Sequence, residues 1–345
     1  MWTRRQRQMC IRDRYKAEYM IKIAVSSGDP SGIGPDICIK AFSNFHSMNF
    51  CPIIFGNINL FKERAEMLKK RVEIEEYKGE EVSLLKKDKL WIVNSDIETT
   101  ITPGKPDIKA ARYIIETFKN SVKRTLKKEF SAVVTCPINK ELINEAGISF
   151  TGHTEELANI SGAKKVVMML VNEKLKIALA TTHIPLNQVS SSIDQKHLEE
   201  VISIVNNALE NHWGIKSPLI KVLGLNPHAG DGGYIGKEEN EIIEPVITKL
   251  IEKGLNLKGP ISADTAFIEK NEKIKADSFI AMFHDQGLPV IKSLGFGETV
   301  NITLGLPFVR TSVDHGTAYD ISGSGKADES SLITAIKMAS LLSQK

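Results

Sequence analysis

From Met20 onward, short apolar runs alternate with longer amphipathic stretches, a pattern that predicts strands and helices in turn. Ile21 to Ser26 reads as a buried strand ending in a glycine-rich turn. Asp36 to Phe42 then opens a helix, with Pro35 suited to its first turn. Cys51 to Phe55, Leu90 to Val93, Ser131 to Thr135, Lys221 to Gly224, Ser278 to Phe283 and Thr299 to Thr303 read as further strands. Val166 to Val171 and Lys176 to Ala180 read as an antiparallel pair. Asp107 to Lys128 is a long helix whose Ile108, Ala111, Ile115, Phe118, Val122 and Leu126 share one face. Its closing bases, Lys123, Arg124, Lys127 and Lys128, favour the macrodipole and read as a solvated helix end. Ser192, with Gln195 three residues on, matches a capping box at the start of another helix.

Such alternation specifies an α/β fold with a largely parallel sheet. At 345 residues the chain exceeds what one core usually serves, so two lobes are expected. Residues 20–125 with 288–345 form the first lobe in this reading, and residues 126–287 the second. The first nineteen residues are basic and lack apolar periodicity; they read as a disordered or non-native extension.

Composition narrows the function classes. A formal net charge of +3 with interspersed signs argues against a nucleic-acid binder. The four cysteines, Cys10, Cys38, Cys51 and Cys136, form no CxxC pair or disulfide framework, which fits reduced thiols in the cytoplasm. The longest apolar runs are too short to span a bilayer, so no membrane partner is expected.

Five motifs carry the chemistry. SSGDPSGIGPD, residues 26–36, is a glycine-rich turn whose free amides would face an anion; its spacing is not that of a standard Rossmann fingerprint. His183, His228 and His284 each follow an apolar strand, and three imidazoles suit a divalent ion with an open position. Each alone also reads as a hydrogen-bonded structural histidine. Asp264 and Asp285 stand near them in the chain as metal partners or proton acceptors. In TGHTEELA, residues 151–158, His153 and Thr154 read either as helix caps or as substrate ligands. Lys292 and Arg310 are isolated bases among apolar residues, with Asn301 on a strand nearby; a phosphate or carboxylate would partner them. Finally, the polar loop of residues 314–328 suits the adenosine half of a cofactor, or a plain surface loop. His197 and His212 read as structural.

Taken together, SGDPSGIGPD, VTCPINK, FTGHTE, TTHIPL, LNPHAGDGG, GPISADTAF, FHDQGLPVIK and VRTSVDHGTAYDISG resemble the 4-hydroxythreonine-4-phosphate dehydrogenases of pyridoxal 5'-phosphate biosynthesis. GIGPD and DHGTAYDISG are also similar to loops of isopropylmalate and isocitrate dehydrogenases. The resemblance implies a two-lobed α/β/α fold of that type and a homodimer with its active site at the subunit interface. The first lobe would then take the cofactor, and the second the metal, the substrate and the dimer contact. It implies that His183, His228 and His284, drawn from both subunits, hold one divalent ion, whether zinc, magnesium or cobalt. It puts substrate on His153, Thr154, Lys292, Asn301 and Arg310, and the adenosine of NAD or NADP on His315, Gly316, Thr317, Ala318 and Asp320. The implied reaction oxidises 4-phosphooxy-L-threonine to 2-amino-3-oxo-4-phosphooxybutanoate, which decarboxylates to 3-amino-2-oxopropyl phosphate; Asp264 and Asp285 are the candidate bases. Rival readings are a same-fold dehydrogenase for a four-carbon aldonate phosphate or a dihydrodiol, a phosphate acyltransferase, and a non-catalytic binding module.

Overall fold

A computed structural model of the chain describes residues 20–45, 48–82, 89–268, 276–295 and 298–344. The basic N-terminal stretch lies outside the described residues. The strands among the described residues, numbered along the chain, are β1 (Ile21–Ser26), β2 (Phe50–Gly56), β3 (Glu73–Glu76), β4 (Lys89–Asn94), β5 (Ala132–Thr135) and β6 (Val167–Val171). They continue as β7 (Lys176–Leu179), β8 (Ile220–Leu223), β9 (Leu257–Ile261), β10 (Ser278–Ala281), β11 (Val300–Leu304) and β12 (Val309–Ser312). All join one sheet in the order β3-β4-β2-β1-β5-β12-β11-β6-β7-β10-β8-β9.

The sheet has two parallel halves of opposite sense. From β3 to β12 the strands run parallel. From β7 to β9 they do so again. Between the halves, β11 is antiparallel to both β12 and β6, and β6 is antiparallel to β7, as the apolar pattern predicts. Strand β5, within the stretch read as the second lobe, pairs with β1 and β12.

Three strands escaped the sequence reading for physical reasons. β3 (EIEE) and β9 (LKGPI) are the two edges, where charges and proline are tolerated because one side of the ladder is unpaired. β12 (VRTS) contains Arg310, which looked like an isolated base rather than a strand residue.

Helices needed two corrections at their starts. A 3-10 turn, Ile108–Ala110, precedes the helix Ala111–Leu126 and shifts the phase, so Ile108 is exposed while Ala111, Ile115, Phe118 and Val122 are buried. Ser192 does not cap a helix. Its hydroxyl bonds back to the Gln188 carbonyl at 2.7 Å, and the helix Gln195–Trp213 is capped by Asp194, which accepts from the His197 amide. The buried Ile193 takes extended backbone and separates the short helix Val189–Ser192 from the helix Gln195–Trp213. Nor is Arg124 a plain solvated base. It pairs with Glu129 and lies 5.4–5.6 Å from the ring centres of Phe130, Tyr77 and Phe55.

The helix Ala111–Leu126 contacts β1, β2 and β5, and the helix Ser330–Leu342 contacts β12, β5, β11 and β1. Together with the buried Ile23, Val25, Val134 and Ile302 they hold the carboxyl ends of these strands in place. Among the described residues, no helix is long and apolar enough to cross a membrane.

Candidate active site

The candidate side chains gather where strands end and where the sheet reverses sense. Arg310 on β12 and Thr303 and Asn301 on β11 meet at that reversal, beside Thr135 at the end of β5. Arg310 is buried, and its Nη1 and Nη2 donate to the hydroxyls of Thr303 (2.9 Å) and Thr135 (2.7 Å). Its Nε has no partner among the described residues. Burial lowers the guanidinium to about 10, partly offset by the Glu155 carboxylate, so it is still charged at neutral pH.

Two further buried polar atoms near this cation are also without partners, Nε2 of His153 and Oδ1 of Asn301. His153 starts the helix His153–Ser161 but does not cap it. The N-cap is Gly152, and no side chain bonds to the exposed amides. The imidazole instead packs edge-on between Phe118 and Phe150, with centroid distances of 4.9 and 6.1 Å. Burial above all, then Arg310 and Lys140, holds it well below the ordinary histidine value, so the ring is neutral. A cation and a neutral imidazole, both under-satisfied in one buried region, could take a small anionic ligand, and the open Asn301 carbonyl oxygen could accept from a hydroxyl or ammonium on it. Thr154 is half-buried on the same helix turn. Lys292 is less isolated than its neighbours in sequence implied, since it pairs with Asp314 at 2.9 Å.

Beyond the carboxyl ends of β7, β10, β8 and β9 stand His183, His284, His228 and Asp264. The rings of His183 and His284 are 5.5 Å apart and line a cavity of about 330 Å³ with Leu186 and Phe283. Burial first, then His284 and Lys140, holds His183 below the usual imidazole value, leaving its lone pair free. Nδ1 of His284 lies 2.6 Å from Asp285, whose carboxylate accepts from it, so in the neutral ring Nε2 carries the lone pair. His228 stands apart from this pair, 69% exposed, with Nδ1 3.9 Å from Asp264, which also accepts from Ser262. No group of three metal-binding side chains converges among the described residues of one chain. Two of the three expected imidazoles are thus brought together and the third is not.

The His228 loop is unusual in its backbone. His228, Ala229 and Asp231 all take positive φ, as do Gly230 and Gly232. Non-glycine residues pay for that conformation in strain, and something must hold it. Glu239, 1% exposed, accepts from the Leu225 amide (2.7 Å), the Asn226 amide (2.8 Å) and the Asn226 side chain (2.9 Å). Its other flank fills the space a Cβ at Gly230 would take. No local signal in the sequence marked Glu239.

The glycine-rich turn and the HGTAYD loop are joined. The Ile33 amide donates to the Thr317 carbonyl at 3.0 Å, and Tyr319 donates to Asp29 at 2.5 Å. The Gly323 amide and Arg64 both donate to Asp36, and Arg64 also reaches the carbonyls of Gly32 and Pro30. At Gly34 a Cβ would sit 1.9 Å from the Ser27 carbonyl oxygen, so only glycine fits. The amides of Ser31, Gly32 and Ile33 are bonded within the protein, which corrects the expectation that they face an anion. In the second loop, Ala318 is left-handed, Gly316 and Asp320 are exposed, and Nε2 of His315 is buried without a partner. That orphan nitrogen fits a ligand with polar groups at this loop.

Comparison with known proteins gives a consistent set of relatives. A family model described as pyridoxal phosphate biosynthetic protein PdxA matches residues 48–339. A 4-hydroxythreonine-4-phosphate dehydrogenase of Yersinia enterocolitica is 44% identical over 319 residues, covering 92% of this chain and 96% of that protein. The crystal structure of a 4-hydroxythreonine-4-phosphate dehydrogenase from Klebsiella pneumoniae superposes with a TM-score of 0.84 at 33% identity, covering 94% of this chain and 100% of the other. A terephthalate 1,2-cis-dihydrodiol dehydrogenase from Burkholderia xenovorans gives a TM-score of 0.66 at 27% identity over 93% of this chain and 98% of its own.

Proposed function

Since this chain belongs to the PdxA family of pyridoxal phosphate biosynthetic proteins, we propose that it oxidises 4-hydroxythreonine 4-phosphate at its secondary hydroxyl. The observation that carries this reading is Arg310, a buried cation bonded only to neutral hydroxyls, beside the unpartnered His153 and Asn301. In this reading the phosphate pairs with Arg310, and Thr154 and Lys292 complete the substrate contacts. The product, a 2-amino-3-oxo acid, is a β-keto carboxylate that loses CO2 to give 3-amino-2-oxopropyl phosphate.

The imidazole pair suits a divalent ion, zinc, magnesium or cobalt, held by His183 and His284 with His228 supplied by a second copy of the chain. Exposed apolar side chains support a homodimer contact there: Leu186, Tyr234 and Ile268 lie on the loops that carry His183, His228 and Asp264. Such an ion supplies Lewis acidity toward the hydroxyl when bound. Asp285 accepts from Nδ1 of His284, which orients that ring, and Asp264 lies 3.9 Å from Nδ1 of His228; in this reading one of the two carboxylates would accept the hydroxyl proton. A bound NAD or NADP would supply the hydride acceptor, and the loop of His315, Gly316, Thr317, Ala318 and Asp320 would hold its adenosine end. The buried Cys38 and Cys136, unbridged with their sulfurs 3.9 Å apart, fit a cytoplasmic setting.

The test is a metal-stripped sample, resupplied with zinc, magnesium or cobalt and assayed for NADH or NADPH with 4-hydroxythreonine 4-phosphate. Metal-dependent turnover is expected. Turnover with a dihydrodiol and none with the phosphorylated substrate would reassign the chain to the other dehydrogenase.

A further inference from the structure

We infer that Thr135 and Thr303 are positioning residues that make Arg310 a receptor for phosphate, an inference that rests on the substrate reading above. A buried arginine ordinarily finds a carboxylate. Arg310 is paired with none among the described residues, and it lies between strands from both sides of the sheet's reversal. The threonine hydroxyls each take one N–H from a different terminal nitrogen. They fix the plane of the guanidinium without neutralising it. Nε and the second hydrogen of each terminal nitrogen are left for an incoming anion.

A carboxylate at either position would satisfy the same N–H groups and cancel the charge, leaving little attraction for a dianion. Apolar valine would leave a terminal nitrogen unbonded in a buried place and free the side chain to rotate. Neutral hydroxyls therefore hold the orientation and preserve the charge. Both threonines are buried, 0% exposed for Thr135 and 3% for Thr303. They act through Arg310, whatever further contacts the ligand makes.

The experiment uses the full chain and two probes, inorganic phosphate and 4-hydroxythreonine 4-phosphate. Binding of phosphate is read by calorimetry, with no metal or cofactor added, and KM and kcat are read separately. Thr303→Val and Thr135→Val are each expected to weaken phosphate binding about tenfold, the effect of losing one buried bond to a charged group. KM for the substrate rises in step, and kcat changes far less. Thr303→Ser, which keeps the hydroxyl, restores binding. Should one valine variant fail to fold, the other carries the test, since each removes a separate bond. Valine variants that bind phosphate like wild type, or a serine variant as impaired as valine, would overturn the inference. Wild-type protein that binds no phosphate and is unaffected by Arg310→Met would instead overturn the anion-site reading itself.

Discussion

Tyr319 donates a 2.5 Å hydrogen bond to Asp29, joining two loops that lie 290 residues apart in the chain. The carboxylate is 1% exposed and also accepts from the Ser31 amide. Burial raises its pKa above the ordinary 3.8, against the lowering effect of the Tyr319 and amide bonds. A carboxyl raised on folding adds stability below its unfolded pKa and loses it as pH climbs through the folded value. Asp29→Asn, which stays neutral and keeps a carbonyl acceptor, is therefore expected to match or exceed wild-type stability at pH 7, the gain shrinking toward pH 4. Tyr319→Phe is expected to cost about 1–2 kcal/mol and to raise KM for the nicotinamide cofactor. Urea midpoints across pH, with cofactor titrations, check both.

Arg64 and Asp36 form a buried ion pair, 2% and 0% exposed, that ties the glycine-rich turn to the segment around Gly323. Removing one partner strands the other charge. Arg64→Ala is expected to lose about 3–5 kcal/mol, and an apolar replacement of both partners to recover much of it. Chemical denaturation of the single and double variants decides. Equal losses would mean the pair matters as packing alone.

Glu239 holds the left-handed His228 loop through three N–H bonds. Glu239→Ala is expected to lower zinc affinity about 10–100-fold, in line with other residues that orient a metal ligand. Competition against a chromophoric chelator measures it. Unchanged affinity would show that the loop keeps its shape unaided.

His228 stands away from the His183–His284 pair within one chain. If a site takes its imidazoles from two copies, His183→Ala and His228→Ala are each inactive alone. Mixed and allowed to exchange subunits, they are expected to recover about a quarter of wild-type turnover, since half the dimers carry one intact site. No recovery despite exchange, verified by mass spectrometry of tagged chains, would place His183 and His228 of each site in the same subunit.

Much was readable in the residues. Apolar periodicity marked the interior strands other than β12, because a strand buried on both faces must be a short apolar run, and β1 lies where its pattern says. The same logic missed β3 and β9, whose edge positions admit glutamate and proline. Local residue type also singled out Arg310 and His153, since a lone base among apolar residues and a histidine at a helix start are visible without coordinates. Their real surroundings were not. That His153 is wedged between Phe118 and Phe150 instead of capping its helix depends on segments that meet only in the folded chain.

The sequence by itself determined the alternation of elements, the class of fold, and which side chains are candidates for the chemistry. Only the tertiary structure decided that Arg310 rests on threonines, that Lys292 has Asp314, and that His183 finds His284 but not His228. Side-chain type and spacing are local properties, and a strand's period records its burial. Pairing across the sheet is set by register and packing among segments far apart in the chain, and no single residue encodes it.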